Sequence, residues 1–342
     1  MTSVLLVRLS AMGDVVQSLG AVRALRAARP DWRLTFVTQT EHAPLLDEPG
    51  LVDRIVAFDR GGGLAAVRAL RRALRGERQD CVIDLQGNWK SAFVARLVRA
   101  GDRVGMDARW RQEPWSRLLL GRVVACDATP HPARAAWELV KQVAPDVPFA
   151  LPRLLASPDE RARERDAVRG AGLDPDRPFR VVVATDPRDP RALVPAMVAE
   201  AVGGDPPGLA LLGPDVAAAP DGVAATLRHG RGDVRRLVGL GAVLASAEGE
   251  VLGPDRGPTH VLIAAGARGR VVFGSQDPRR TAPPSAAAVV RADPPRCQPC
   301  RSRRCRNPLG VECMPFDLVA AREVDVGLPP EGAVGPGPWP DA

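Results

Sequence analysis

The feature that most constrains this chain is a regular alternation of short apolar segments with amphipathic ones. Residues 3–8 form an apolar run with strand character, and in residues 15–28 apolar side chains recur at helical spacing. The pattern repeats through the first half, with strands expected at residues 34–38, 54–58, 81–85 and 103–106 and helices at residues 64–74 and 91–99. Strands that alternate with helices predict βαβ units and a parallel sheet.

A proline-punctuated stretch at residues 144–158 interrupts the alternation, which then resumes. Strands are expected in the second half at residues 180–185, 209–213, 250–253, 270–273 and 288–291. A length of 342 residues favours two domains, because one domain typically takes roughly 100–200 residues. We therefore expect two doubly wound α/β domains, residues 1–150 and 151–326, with a cleft between them. The Gly/Pro-rich and acidic residues 327–342 are predicted to be a disordered tail.

The charge balance indicates anionic partners without identifying them. The chain has 47 basic and 40 acidic residues, a formal net charge of +7, and only Lys90 and Lys141 are lysines. A GC-rich genome explains such an arginine excess, although arginine also binds phosphate through a planar fork that lysine lacks. No apolar run reaches the roughly 18 residues of a membrane span, and the run at residues 4–7 is too short for a signal sequence. We expect a cytoplasmic protein with mostly reduced cysteines.

The turn after the first strand places a carboxylate, Asp14, at the start of a helix. This turn matches neither the dinucleotide-binding glycine fingerprint nor a Walker A loop. Asp14 with Gln17 three residues later has the spacing of a capping box, so the residue has a structural as well as a catalytic interpretation. Ligands of open α/β sheets bind at the carboxyl ends of strands, which keeps both interpretations open.

Two later turns also follow predicted strands. Residues 253–260 end at the start of a helix, where free N–H groups attract phosphate and where Thr259 and His260 could add hydrogen bonds. Ordinary turn chemistry explains the same residues. Residues 274–281 form a polar loop with the adjacent arginines Arg279 and Arg280, and a solvated loop is the simpler interpretation.

Four cysteines, Cys297, Cys300, Cys305 and Cys313, are spaced compactly enough for a structural zinc ion held by four thiolates. Reduced structural cysteines and disulfides are the alternatives, because the later spacing fits no standard zinc finger. Five arginines surround the cluster and give a nucleic-acid-binding interpretation local support: Arg296, Arg301, Arg303, Arg304 and Arg306. The other two cysteines, Cys81 and Cys126, are predicted to be inert core residues.

Four stretches, in order, resemble glycosyltransferase family 9, the ADP-heptose:lipopolysaccharide heptosyltransferases and their relatives. Residues 4–19, which read VLLVRLSAMGDVVQSL, closely resemble the family's opening, and DLQG with Lys90 and Ser91 resembles its acceptor-side loop. Residues 253–260, GPDRGPTH, with residues 273–281 resemble its donor signature, and the cysteine cluster resembles one found in many members. The resemblance runs from residue 3 to about residue 325.

The resemblance implies a GT-B fold, in which two Rossmann-like domains face each other across a cleft, and an inverting transfer that needs no catalytic metal. The acceptor-activating carboxylate of the family falls on Asp14. The acceptor-binding positions it implies are Ser10, Gly13, Gln86, Lys90 and Ser91. The donor-binding positions it implies in the second domain are Asp255, Arg256, Gly257, Thr259 and His260.

The sequence departs from the family pattern where the donor diphosphate is expected. A lysine usually follows the first strand of the second domain, but this segment reads ATDPRDPRALVP. Thr185, Arg188 and Arg191 are left as donor-binding candidates, because a guanidinium binds phosphate bidentately. Arg256 replaces a small Ser or Thr, and Asp215 alone matches an expected acidic position. The chain is therefore a divergent relative.

The leading hypothesis is a glycosyltransferase that moves a sugar, heptose by resemblance, from a nucleotide-sugar such as ADP-heptose to a lipopolysaccharide-core or other envelope glycan. It would be cytoplasmic, peripheral to the inner membrane, with an anionic glycolipid as acceptor and no nucleic-acid partner. A degenerate, non-catalytic relative that binds a glycan or a protein is the alternative. A nucleic-acid-binding protein acting through the cysteine cluster and an NAD-dependent enzyme are remote alternatives.

Overall fold

A computed structural model describes residues 1–76, 78–108, 113–125, 131–302, 304–307, 311–314 and 321–334. The chain divides into two compact units. Unit 1 comprises Met1–Pro152 and Gly327–Ala342, and unit 2 comprises Arg153–Val326. The division after Pro152 lies close to the expected boundary at residue 150, within the proline-punctuated stretch.

Unit 1 is a doubly wound α/β layer structure. Its elements, in chain order, are β1 (Ser3–Val7), α1 (Met12–Ala28), β2 (Arg33–Gln39), a 3₁₀ helix (Thr40–Leu46), β3 (Arg54–Phe58), α2 (Gly63–Ala73), β4 (Gln79–Asp84), α3 (Trp89–Leu97), β5 (Ala100–Met106), a second 3₁₀ helix (Pro114–Leu119), β6 (Arg122–Val124) and α4 (Pro132–Val140). The six strands pair in the order β3-β2-β1-β4-β5-β6, and every pairing is parallel.

Unit 2 repeats this plan. Its elements are α5 (Pro158–Gly170), β7 (Arg180–Ala184), α6 (Pro195–Gly203), β8 (Gly208–Leu212), β9 (Thr226–Arg228), α7 (Val234–Ser246), β10 (Glu250–Pro254), α8 (Gly257–Ala264), β11 (Arg268–Phe273), α9 (Pro278–Thr281), β12 (Ala287–Val290) and β13 (Arg322–Glu323). The sheet order is β13-β12-β11-β10-β7-β8-β9, parallel except for the β12–β13 pair.

Both sheets reverse their winding direction at one internal strand pair. In unit 1 the reversal falls between β1 and β4, and in unit 2 between β7 and β10. Such a reversal leaves a crevice at the carboxyl ends of the two strands, which is where open α/β sheets bind ligands. The segments that follow β1, β4, β7 and β10 are therefore the first places to look for a site.

The strands that the sequence predicted are those with continuous apolar runs, because a parallel sheet covered by helices buries both faces of its strands. Thus β1 and β8 are buried along nearly their whole length. The strands that were not predicted, β6, β9 and β13, have only two or three residues and lie half-exposed or exposed. Their short, partly polar sequences give no periodic signal.

The predicted disordered tail requires a correction. Residues 327–334 associate with unit 1, where the Phe149 N–H donates to the Ala333 carbonyl at 2.7 Å and the Gly332 N–H donates to the Phe149 carbonyl at 2.8 Å. Phe149 itself packs edge-on against the buried Trp137 of α4, with ring centroids 5.6 Å apart. Reciprocal backbone hydrogen bonds beside a buried aromatic pair give this segment a fixed partner that its composition does not reveal. Residues 335–342 lie outside the described residues.

Candidate active site

Asp14 lies in the first turn of α1, at the carboxyl end of β1. The helix begins at Met12, and Ala11 is its N-cap residue. The Ala11 N–H donates to Asp14 Oδ2 at 3.3 Å, so Asp14 is the third helical residue and reaches back to the cap. The predicted capping box, with Asp14 as the cap and Gln17 as its partner, is therefore wrong by one helical turn. Gln17 lies within α1, and its side chain is buried.

Arg8, the residue that follows β1, holds the Asp14 carboxylate in place. Its Nη2 lies 2.8 Å from Asp14 Oδ2, and its Nη1 donates to the carbonyl of Leu85, which follows β4. The Arg8 side chain is 7% exposed, whereas the Asp14 side chain is 29% exposed. Arg8 thus ties the two strands of the reversal to a carboxylate that still reaches solvent. Arg8 was not predicted as a site residue, because the carbonyl that it contacts is distant along the chain.

The loop after β4 is tied to the loop after β1 by one side chain. Gln86 Oε1 accepts hydrogen bonds from the backbone N–H groups of Leu9 at 2.6 Å and Ser10 at 3.2 Å. The fully buried Asp84 at the end of β4 accepts from the N–H groups of Gln86 and Gly87, both at 3.1 Å. Gly87 has a φ of +79°, a left-handed conformation that glycine adopts without strain. This network presents both loops at one sheet edge.

The other predicted acceptor residues divide into two groups. Ser10 and Gly13 are half-buried beside Asp14, and Lys90 is exposed in the first turn of α3. Ser91 is fully buried in a capping box, where its N–H donates to Asn88 Oδ1 at 3.0 Å and its hydroxyl donates to the Asn88 carbonyl. The Ser91 side chain thus stabilises the start of α3, and its assignment to acceptor binding stays a prediction.

In unit 2, the carboxylate of Asp255 follows β10 and is held from two sides. His260 Nε2 lies 3.0 Å from Asp255 Oδ1, and the Thr281 hydroxyl donates to Asp255 Oδ2 at 2.9 Å. His260 comes from the first turn of α8, and Thr281 from α9 beyond the neighbouring strand β11. The two predicted donor residues Asp255 and His260 are therefore in direct contact, in an arrangement that fixes the turn between β10 and α8.

Thr259 has a structural role in the same turn. Its side chain is fully buried, and its hydroxyl donates to the Pro254 carbonyl at 2.8 Å. A Cβ at Gly253 would lie 2.4 Å from the Thr259 hydroxyl oxygen, so glycine is required for this contact. The Thr259 hydroxyl is thus engaged within the turn, and the assignment of Thr259 to donor binding stays a prediction. Gly257 is the first residue of α8, so the turn still presents a helix N-terminus.

A carboxylate and two guanidiniums form a compact trio beside this turn, which we call the arginine trio: Asp189, Arg191 and Arg256. Arg191 Nη2 and Arg256 Nη1 lie 2.8 and 3.0 Å from the same oxygen, Asp189 Oδ2. Burial alone would raise the pKa of Asp189, but hydrogen bonds from Arg191 outweigh it and lower that pKa. Burial and the neighbouring Arg191 lower the pKa of the Arg256 guanidinium. The trio carries one surplus positive charge.

The remaining predicted donor residues differ in exposure. Arg188 is 87% exposed and pairs with Asp186 at 2.7 Å, and its hydrogen bond lowers the pKa of Asp186 to about 2. Asp215 is exposed and pairs with Arg231 at 2.9 Å. The Thr185 hydroxyl, at the end of β7, is buried and has no hydrogen-bond partner among the described residues. An unsatisfied buried hydroxyl at the reversal of the sheet is available to a ligand.

The four cysteines of the cluster line one cavity of about 760 Å³ in unit 2, together with Ser275 and three of the neighbouring arginines. Cys297, Cys300 and Cys305 are exposed, while Cys313 is buried. Burial, followed by the nearby thiols, raises the pKa of Cys313 to about 11. The predicted zinc site is not supported: within the described ranges no three His, Cys, Asp or Glu side chains are grouped closely enough to hold a metal.

Of the two remaining cysteines, Cys81 is buried in β4, and burial raises the pKa of its thiol to about 12. This value fits the inert core residue expected from the sequence. Cys126 and the cluster residue Arg303 lie outside the described residues.

Comparisons with known proteins point to the same family as the sequence motifs. The family model for glycosyltransferase family 9 (heptosyltransferase) matches residues 67–187. Lipopolysaccharide heptosyltransferase 1 of Escherichia coli K12 is 31% identical over 128 residues, 35% of this chain and 40% of that protein. The lipopolysaccharide core heptosyltransferase OpsX of Haemophilus influenzae is 22% identical over 309 residues, 82% of this chain and 81% of that protein. The chain thus spans less than half of the first of these relatives and most of the second.

Among solved structures, E. coli heptosyltransferase WaaC with ADP-2-deoxy-2-fluoro heptose matches with a TM-score of 0.62 and 21% identity, over 85% of this chain and 94% of that one. The predicted α/β GT-B fold is confirmed by this likeness and by the two doubly wound sheets. The family-model match contains the acceptor-side loop with Gln86 but neither Asp14 nor Asp255. The match to the family model therefore lies in the middle of the chain.

Proposed function

We propose that this glycosyltransferase family 9-like chain transfers a sugar from a nucleotide-sugar donor to a lipopolysaccharide-core or other envelope glycan. The observation that carries the proposal is the Arg8–Asp14 ion pair at the reversal of the unit 1 sheet. A carboxylate that is oriented by a buried guanidinium and still reaches solvent suits a general base. The heptosyltransferase relatives support the choice of reaction.

The proposed reaction is a single displacement with Asp14 as the base. An acceptor hydroxyl approaches the carboxylate, which takes its proton while the hydroxyl oxygen forms a bond to the anomeric carbon of the donor sugar. The bond between that carbon and the diphosphate oxygen breaks at the same time, and the nucleoside diphosphate leaves with the electron pair. Attack opposite the leaving group inverts the anomeric centre. No step uses a metal ion.

The donor is proposed to bind at the reversal of the unit 2 sheet, with ADP-heptose as the first candidate. The surplus charge of the arginine trio complements a diphosphate, and each guanidinium has N–H groups beyond those that point at Asp189. The N-terminus of α8 adds partial positive charge. In this proposal Arg191 and Arg256 take the place of the lysine that the family uses. WaaC was solved with an ADP-heptose analogue, which supports the choice of donor.

The acceptor is proposed to be an anionic glycolipid at the cytoplasmic face of the inner membrane. The net charge of +7 favours an anionic surface. No described helix is long and apolar enough to cross a bilayer. Lys90, exposed beside the loop that Gln86 anchors, is the candidate contact to acceptor phosphate or carboxylate.

The test replaces Asp14 by Asn, which preserves the shape of the side chain and removes the base. Transfer from ADP-heptose to a heptose-deficient lipopolysaccharide core is expected to fall by about 10²- to 10⁴-fold, the usual contribution of general-base catalysis. Asp159→Asn is the matched control, because Asp159 is also a first-turn helix acid but belongs to α5 of unit 2 and is not among the candidate site residues. Thermal melting checks that both variants fold. Undiminished transfer by the Asp14 variant would refute the assignment.

A second candidate function is favoured by one observation: each candidate phosphate-binding arginine already pairs with an aspartate. Asp186 pairs with Arg188, and Asp189 pairs with both Arg191 and Arg256. A degenerate relative that binds a glycan or a protein without catalysis is consistent with arginines that already pair with aspartates. Calorimetric titration with ADP and ADP-sugars separates the two functions, because saturable binding requires a working donor site.

A further inference from the structure

One face of unit 1 exposes an unusual cluster of large apolar side chains, which we call the aromatic patch: Trp89, Phe93, Trp115 and Leu118. Their exposed fractions range from 42% to 71%. Elsewhere on the described surface, exposed apolar residues are separated from one another along the chain: Leu64 lies on α2 and Leu155 in the loop before α5. Single exposed apolar residues are ordinary, whereas a contiguous group marks an interaction surface.

Helix geometry places the members of the patch side by side. Trp89 and Phe93 are four residues apart on α3, and Trp115 and Leu118 are three residues apart on a 3₁₀ helix, so each pair lies on one helical face. The two helices are in contact, and the Trp89 N–H donates to Glu113 Oε2 at 2.6 Å just before the 3₁₀ helix begins. The two pairs of apolar side chains are therefore carried by neighbouring helices of unit 1.

The charged side chains on the two helices are all basic, and the acidic Glu113 that precedes the 3₁₀ helix accepts the Trp89 N–H. Lys90 and Arg96 are exposed on α3, and Arg117 is exposed on the 3₁₀ helix between the two apolar members. Arg96 follows Phe93 by three residues and extends the same stripe. Neither helix contains an acidic residue. Apolar aromatic side chains flanked by basic ones complement the interface of an anionic bilayer, where tryptophan rings lie at the headgroup level.

We propose that the aromatic patch docks unit 1 onto an anionic lipid bilayer. Trp89, Phe93, Trp115 and Leu118 insert between the headgroups, and the flanking basic side chains pair with lipid phosphates. A protein partner would be expected to pair with acidic as well as basic side chains, whereas the two helices themselves carry only basic ones.

The location of the patch connects docking to the proposed reaction. α3 starts directly after the Gln86–Asn88 turn, and Gln86 holds the N–H groups of Leu9 and Ser10 beside Asp14. Docking through α3 would therefore keep the acceptor-side loops close to the bilayer that contains a lipid-linked acceptor. This connection, unlike the docking itself, rests on the proposed function.

The test measures co-sedimentation of the full chain with vesicles of phosphatidylglycerol and phosphatidylethanolamine. The double variant Trp115→Ser, Leu118→Ser removes the two most exposed members and is expected to weaken binding by about tenfold or more. Leu64→Ser, an equally exposed residue of α2 in the same unit, is the matched control and is expected to bind like the wild type. Binding is expected to weaken on vesicles of phosphatidylcholine alone and at high salt.

Three results would overturn the proposal: no wild-type binding to the anionic vesicles, equal binding by the double variant, or a wild-type dimer that the double variant converts to a monomer in sedimentation equilibrium. The last result would identify the patch as an interface between two copies. Transfer to a soluble, lipid-free core acceptor separates docking from catalysis. The double variant should keep that activity, whereas Asp14→Asn should lose it and still bind vesicles.

Discussion

Replacing Arg256 by Ala is the sharpest test of how this chain would bind a diphosphate. Asp189, Arg191 and Arg256 together carry one surplus positive charge, and removing Arg256 leaves a neutral Asp189–Arg191 pair. Because Asp189 keeps its Arg191 partner, no carboxylate is left unpaired and the fold should persist. The expected result is weaker binding of ADP and of ADP-heptose.

The expected loss of ADP affinity follows from the hydrogen bonds of the guanidinium and from its exposure to solvent. A hydrogen bond to a charged group contributes about 1.5–3 kcal/mol, which corresponds to a change of about 10- to 150-fold in Kd. The Arg256 side chain is 29% exposed, so water screens part of this contribution. We therefore expect the Kd for ADP to rise by about 10- to 30-fold.

The assay is isothermal titration of ADP into the wild type, the Arg256 variant and Arg188→Ala as a matched control. Arg188 is also an arginine beside an aspartate, but it is 87% exposed and its pair with Asp186 has no surplus charge. Exposed ion pairs contribute about 0–1 kcal/mol, so the control should change the Kd by less than about fivefold.

Two outcomes would refute this reasoning. If the Arg256 variant binds ADP as tightly as the wild type, the surplus charge of the trio is not used for the diphosphate. If the Arg188 variant loses more affinity than the Arg256 variant, the exposed arginine is the replacement for the family lysine. An absence of binding by the wild type would favour the degenerate relative.

Two further predictions concern the pH dependence of stability and the reactivity of the cysteines. Burial alone would raise the pKa of Glu160, but hydrogen bonds from Arg235 and Ser157 lower that pKa overall. The ionised carboxylate therefore stabilises the fold at pH values above its ordinary pKa of 4.5. This stabilisation is lost as the pH falls through the lowered pKa of the folded state. The Glu160→Gln variant should therefore have a lower melting temperature than the wild type at neutral pH, and this difference should narrow in acid. A difference in melting temperature that does not change with pH would contradict the ion-pair explanation. Raised thiol pKa values and burial should protect Cys81 and Cys313 from iodoacetamide at about pH 8, and fast labelling of either would be inconsistent with the structure. Peptide mass spectrometry should find the exposed thiols labelled first: Cys297, Cys300 and Cys305.

The candidate site shows which of its features can be predicted from local sequence patterns. The motif around Asp14 was recognised because its residues are consecutive, and the turn before His260 for the same reason. The helix start was placed too late, since Ala11 and Met12 have no side-chain capping signal. The structural role of Thr259 was not predicted, because a hydroxyl at a helix start has the same sequence pattern whether it faces a ligand or donates to a buried carbonyl.

Local periodicity and strand-end residues determined the fold class and the segments that hold the candidate site. The alternation of apolar strands and amphipathic helices depends only on neighbouring residues, so it can be read along the chain. The tertiary structure decided which of these segments meet. Strand β1 pairs with β4, and β7 with β10, and these pairings bring Arg8 to the Leu85 carbonyl and Arg256 to Asp189. Such partners lie far apart in sequence, and only the packing of the sheets brings their charges within contact distance.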